Sequence, residues 1–217
     1  MTLLYESIGL LFHGLKYNIL LTSLAVLIAL PISCLFAVAR MSRFHLIYYP
    51  ATLYINILRS SPLLMVLFWV YYTIPMLIGR EIHVFYAALA AIAAFEVAYF
   101  AEFIRSGIQS ISVTQCRAGL ATGLSSRQVT LYIILPQALR KMLPSLLTQS
   151  IIAFQDSTLA SVIGVREIFQ TTKIINSREM KPVLLYLFLA IVYFIMCYSL
   201  SRLVRGIEKR TGSRISD

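Results

Sequence analysis

Long apolar runs alternate with short polar gaps along this chain, and the runs have the length of membrane crossings. A spanning helix needs about 20 mainly apolar residues. Residues 17–39 qualify, interrupted only by Pro31. So do 53–79, most apolar from Pro62 onward, 84–104, which carries Glu96 and Glu102, and 182–203. The stretch from Met142 to Phe154 is apolar but shorter, with Arg140, Lys141 and Pro144 at one end and Gln155 and Asp156 at the other. Hydropathy alone leaves it undecided.

Composition agrees with a lipid solvent. Of 217 residues, 59% are hydrophobic and 13% charged, against roughly 45–50% and about 25% in soluble domains. The net charge of +10 would suggest nucleic acid in a soluble protein. Here the charges sit in the gaps between apolar runs, so they read as topology and no nucleic-acid partner is expected.

The same charges decide the short segment. Arg40 and Arg43 follow the first run, and Arg202, Arg205, Lys209, Arg210 and Arg214 follow the last. Both clusters belong in the cytoplasm by the positive-inside rule, and two segments on one side require an even number of crossings between them. Residues 137–156 must therefore cross. The expectation is an all-α integral membrane chain, one domain over 1–217, with five spans (17–39, 53–79, 84–104, 137–156 and 182–203), its N-terminus outside and its C-terminus in the cytoplasm. Ala37-Val38-Ala39 looks like a signal-peptidase site, but the apolar run before it is too long and only Lys16 precedes that run, so the segment reads as an uncleaved span. Cys34, Cys116 and Cys197 are odd in number and scattered, which suits small apolar fillers.

Residues 106–128 form the longest cytoplasmic gap. Thr114 can cap a short helix, Ala118, Leu120 and Ala121 favour it, and Gly123 breaks it; Ser125 or Ser126 can cap the next helix, which runs toward Pro136. A plain connecting loop is the alternative. Connections in compact structures have a median near 4–6 residues, so a longer segment with its own helix suits a surface for a partner.

This segment resembles the Glu-Ala-Ala signature loop of ABC-importer permeases. Arg117-Ala118-Gly119, then Gly123, then Ile133-Ile134-Leu135-Pro136 follow its spacing, with Arg117 where the family usually has Glu. Four further stretches match in order: Arg59-Ser60-Ser61-Pro62-Leu63, Tyr99-Phe100-Ala101-Glu102 through Arg105 to Ile111, Leu135-Pro136-Gln137-Ala138-Leu139-Arg140, and Gln155-Asp156-Ser157-Thr158-Leu159. Together they cover about 14–205 and look like the polar amino-acid branch, nearest the glutamate/aspartate permeases. The resemblance implies a type I importer bundle in a bacterial inner membrane. It also implies a second permease subunit, usually a different chain in that branch, a dimer of ATPase subunits, and a periplasmic amino-acid-binding protein. It further implies that Gln115, Arg117, Ala118, Gly119, Gly123 and Leu124 form the coupling surface. The chain has no Gly-x-x-x-x-Gly-Lys-Ser/Thr loop, so ATP is expected on the separate subunit and no cofactor on this one.

Ionisable groups inside spans are costly and mark interiors or paths. Glu96 lies about 18 Å into its span at 1.5 Å per residue, and its partner must come from another helix, water or substrate. Tyr99 and the Gln155-Asp156-Ser157-Thr158 run complete the path candidates; Asp156 can cap a helix or meet a substrate ammonium. Glu102 and Arg105, three apart, make a structural pair. Arg59 reads as a snorkelling residue before a Ser-Pro helix start or as part of an anion-attracting helix end, and Pro136 as a structural residue. His13, His45 and His83 fit no metal or triad pattern, and no catalytic residue is found. A channel subunit, which would need charge rings or a filter loop, and an intramembrane enzyme using Glu96 and Asp156 are the readings from other classes.

Overall fold

The computed structural model describes residues 2–211, with side-chain surroundings from Ile8 to Glu208; Arg214 of the basic tail lies outside the described residues. Among these, the order is α1 (Thr2–Arg40), α2 (His45–Ser60), α3 (Leu63–Phe68), a π-helical stretch (Trp69–Thr73) and α4 (Ile74–Ile78). There follow α5 (Val84–Gln109), α6 (Val113–Ala121), α7 (Ser126–Gln128), a second π-helical stretch (Val129–Ile134), α8 (Leu135–Asp156), a 3-10 segment (Ser157–Ile163), α9 (Ile168–Glu179) and α10 (Pro182–Thr211).

α5 is the central element. Ala87, Ala88, Ala91, Ala98 and Ala101 are buried along it, and side chains this small let α1 and the other helices approach its backbone closely. α10 is peripheral, with most of its apolar surface exposed, as suits a helix that faces lipid. α1 and α5 run parallel: Tyr17, in the first half of α1, meets Phe85 at the start of α5, and Arg40 meets Glu102 toward the ends of both.

Among the described residues, three helices are long and apolar enough to cross a membrane: Ile8–Arg40, Val84–Gln109 and Pro182–Glu208. The expected span 53–79 is not one straight helix. α2 and the elements from Leu63 to Ile78 meet at a 110° bend, because Ser61 and Pro62 are both extended (ψ 144° and 136°) and proline disfavours helical backbone in the residue before it. Ser61 caps no helix start; its hydroxyl donates back to Ile57 O at 2.8 Å. α8 carries Arg140, Lys141 and Gln149 and does not reach the hydropathy of the other three.

α1 begins about fifteen residues before the expected position. The cause is tertiary. Gly14 lies so close to α9 that a Cβ there would sit 2.8 Å from Ile168 Cα, so the early turns of α1 have a packing partner that the polar residues in them conceal. Both π-helical stretches end just before a proline, Pro75 and Pro136. Proline lacks an N–H and its ring crowds the carbonyl four residues back, and widening the preceding turn relieves both.

A buried amide ties three elements together. Asn18 Nδ2 donates to Ser157 Oγ at 2.9 Å, and Asn18 Oδ1 accepts from Ile168 N at 3.0 Å. Asn18 and Ser157 are fully buried. Asn18→Leu leaves the Ile168 N–H and the Ser157 hydroxyl without this partner, and should cost about 1–3 kcal/mol, read as a lower unfolding midpoint of the detergent-purified protein.

Candidate functional site

The polar side chains gather at three places. The first is the end of the bundle where α1, α2 and α5 converge. Glu102 is the hub: Arg105 grips it in bidentate fashion (Nε–Oε2 3.0 Å, Nη2–Oε1 2.5 Å), Arg40 donates to Oε2 at 2.5 Å, and Arg59 lies 3.8 Å from Oε1. Arg105 also donates to Gln109, and Arg40 to Asn56 Oδ1 at 3.3 Å. The Arg59 guanidinium stands 5.5 Å from the Tyr99 ring centroid. Arg59 thus neither snorkels alone nor lies at a capped helix start; it joins the end of α2 to α5. The one carboxylate faces three guanidinium groups, so this end of the bundle keeps a positive excess.

The second place is the α8 terminus. Asp156 ends α8 and is half-buried, but its side chain caps neither that helix nor the 3-10 segment that follows. The capping expectation fails because the backbone stays right-handed helical through Asp156 and Ser157 (φ −66° and −60°), so no extended cap position exists there. The Ser157 hydroxyl turns inward, donating to Phe154 O at 2.7 Å, and Thr158 donates to Gln155 O at 2.8 Å. Gln155 faces a separate groove of about 310 Å3 with Tyr193, Tyr198 and Ser201 of α10. Glu96 is fully buried and accepts from Gln149 Nε2 of α8 at 3.3 Å, while its other oxygen has no hydrogen-bond partner among the described residues. The six path candidates point in different directions: Glu96 lies between α5 and α8, within electrostatic reach of Asp156, Tyr99 beside Arg59, Gln155 against α10, Ser157 against α1, and Asp156 and Thr158 at the helix break.

The third place is the projecting segment. α6 is capped by Ser112, whose hydroxyl accepts from Thr114 N at 3.2 Å; the expected cap, Thr114, is already inside the helix. Ser125 starts α7 with a reciprocal capping box to Gln128. Gln115, Arg117 and Ala118 are exposed, whereas Gly119 is buried. A Cβ on Gly119 would lie 2.7 Å from Ile133 Cδ1 and 2.9 Å from Val129 Cγ2, so α6 rests directly on the π-helical stretch that leads into α8. Gly123 turns the chain at φ +85°, and Leu124 N donates to Gly119 O at 3.4 Å.

Asn18, Gln149 and Glu167 are polar residues that the sequence does not single out, and Arg40, there a marker of topology, is here an ion-pair partner of Glu102. The signal for Asn18 and Gln149 was an amide inside an apolar run. Glu167 lies in the connection between α8 and α10, outside the spanning segments. Its carboxylate caps α9, accepting from Phe169 N and Gln170 N at 2.8 and 2.6 Å. Burial pushes its pKa up to about 7, against the lowering effect of those backbone N–H groups. Between the ordinary carboxylate value near 4.3 and about 7, the folded protein holds a proton that the unfolded chain has released. Stability must therefore fall as pH rises through that window and level off above it. A Glu167→Gln variant should lose this slope, as read from unfolding midpoints at mildly acidic and mildly alkaline pH.

Residues 17–213 match the family described as binding-protein-dependent transport system inner membrane component. The chain is 39% identical to the glutamate/aspartate import permease protein GltK of Escherichia coli, over 94% of this chain and 95% of that protein. It is 32% identical to the glutamine transport system permease protein GlnP of Escherichia coli, over 95% of each. The crystal structure of an amino acid ABC transporter with histidines superposes with a TM-score of 0.91 at 32% identity, covering 95% of this chain and 96% of that one. An inward-facing MetNI methionine transporter shares the fold, with a TM-score of 0.65 at 18% identity.

Proposed function

We propose that this chain, which belongs to the family of binding-protein-dependent inner-membrane transport components and is a permease subunit of an amino-acid ABC importer, carries glutamate or aspartate. The observation that carries the reading is the pairing of an uncapped, half-buried Asp156 at a helix break with a cationic excess around Glu102 at the other end of the bundle. A carboxylate at a broken helix suits the substrate ammonium, and surplus guanidinium groups further along suit an anionic cargo. Similarity to GltK across nearly the whole chain supports the same choice.

In this reading Asp156 and Thr158 meet the amino group as the cargo passes. Arg59 and Tyr99 lie farther along its route. The α6 end faces the cytoplasm, where two ATPase subunits bind the nucleotide and grip α6, and a second permease subunit completes the path. A periplasmic binding protein delivers the amino acid to the opposite end, which is also the end of the N-terminus. Uptake by the reconstituted complex tests this. Glutamate or aspartate should accumulate and Asp156→Asn should cut that uptake severely, whereas accumulation of glutamine in preference to both would reject the acidic cargo.

A further inference from the structure

We propose that the cleft between α1, α5 and α9, at the end of the bundle opposite α6, holds an anionic phospholipid by its phosphate. The cleft has a volume of about 750 Å3. His13, Tyr17, His83, Arg166, Thr171 and Arg178 supply its polar lining, with no carboxylate among the described residues that line it, and the rest is apolar, including Phe85, Val165 and Ile175.

Depth is set by α1. Its apolar stretch from Ile8 to Arg40 has 33 residues, about 50 Å at 1.5 Å per residue, against a hydrocarbon core of about 30 Å. One end must leave the hydrocarbon. The early turns do so along the face that lines the cleft, Leu10, His13, Gly14 and Tyr17, which follow helical i, i+3, i+4, i+7 spacing. The Tyr17 ring lies tilted against His13 at 5.2 Å between centroids and meets Phe85 edge-on at 6.1 Å, and amphipathic aromatic rings of this kind favour headgroup depth. Arg166 and Arg178 are exposed, so their charges reach the rim without distorting the fold. An apolar floor with a cationic rim at that depth fits a molecule with a phosphate head and apolar tails; a free amino acid would leave the floor empty.

Native mass spectrometry of the intact complex, released from phosphatidylcholine nanodiscs doped with phosphatidylglycerol, counts the lipids retained. Phosphatidylglycerol should stay with the wild-type complex, and excess inorganic phosphate should not displace it. Arg166→Gln with Arg178→Gln should weaken its retention roughly thirtyfold. Lys173→Gln, which removes an exposed cation of α9 outside the cleft, should leave retention unchanged. Equal retention by wild type and the double variant, an equal loss with Lys173→Gln, or displacement by inorganic phosphate each overturns the proposal.

Discussion

Gly119→Leu is expected to leave membrane insertion intact and to abolish transport driven by ATP. The reason is the distance between α6 and its platform. Ile133 Cδ1 can swing aside, but Val129 is buried and stiff at its branched Cβ and already lies closer to a hypothetical Cβ than side chains tolerate, so a leucine pushes α6 away from the π-helical stretch that leads into α8. Overpacking of this kind costs typically 1–3 kcal/mol. Because the Gly119 carbonyl also accepts from Thr122 Oγ1 at 2.8 Å and from Leu124 N at 3.4 Å, the displacement carries the turn at Gly123 with it. An ATPase subunit gripping the exposed face around Gln115, Arg117 and Ala118 would then move α6 without moving α8. Uptake by the reconstituted complex should fall about tenfold to a hundredfold, while the protein still purifies as a folded monodisperse species. Wild-type uptake in Gly119→Leu would mean that α6 does not transmit force through this contact.

Glu102→Ala should lower stability markedly. It leaves Arg40, Arg59 and Arg105 facing one another with their common counter-charge gone. Stripping one partner from a buried ion pair costs about 3–5 kcal/mol, and exposed pairs are worth about 0–1 kcal/mol. The side chains here are 16–37% exposed, so a cost of about 2 kcal/mol lies between these limits. The unfolding midpoint should fall by several degrees, and Arg40→Ala in the same background should recover part of the loss, because residues in one network do not act additively. An unchanged midpoint in Glu102→Ala would show that the cluster contributes no net stability.

Features that local chemistry determines could be read from the sequence, and features that depend on distant packing could not. The break at Gly123 needs a positive φ, and the spacing of Glu102 and Arg105 puts them on one helix face; both are visible in a few residues. The family and its fold were legible from five short stretches in order. In the sequence Arg40 reads as topology and Arg59 as snorkelling, because nothing local shows that α1 and α2 end beside Glu102. The start of α1 was hidden because its early residues are held by Gly14 against α9, a contact about 150 residues away along the chain. The 110° bend at Ser61-Pro62 was foreshadowed by the proline, yet the apolar residues on both sides disguised it as one span. The candidate path was legible as residue types but not as an arrangement: adjacent residues 155–158 turn toward α10, the helix break and α1, because a helical backbone rotates each successive side chain by about 100°.

The most direct test of the account is amino-acid uptake into proteoliposomes that hold this chain with its co-purifying subunits, measured with and without ATP. Accumulation of glutamate or aspartate against a gradient only when ATP is supplied, and its loss in Gly119→Leu, is the predicted result. Passage of the amino acid down its gradient at the same rate without ATP or any ATPase subunit would contradict it and identify the chain as a pore.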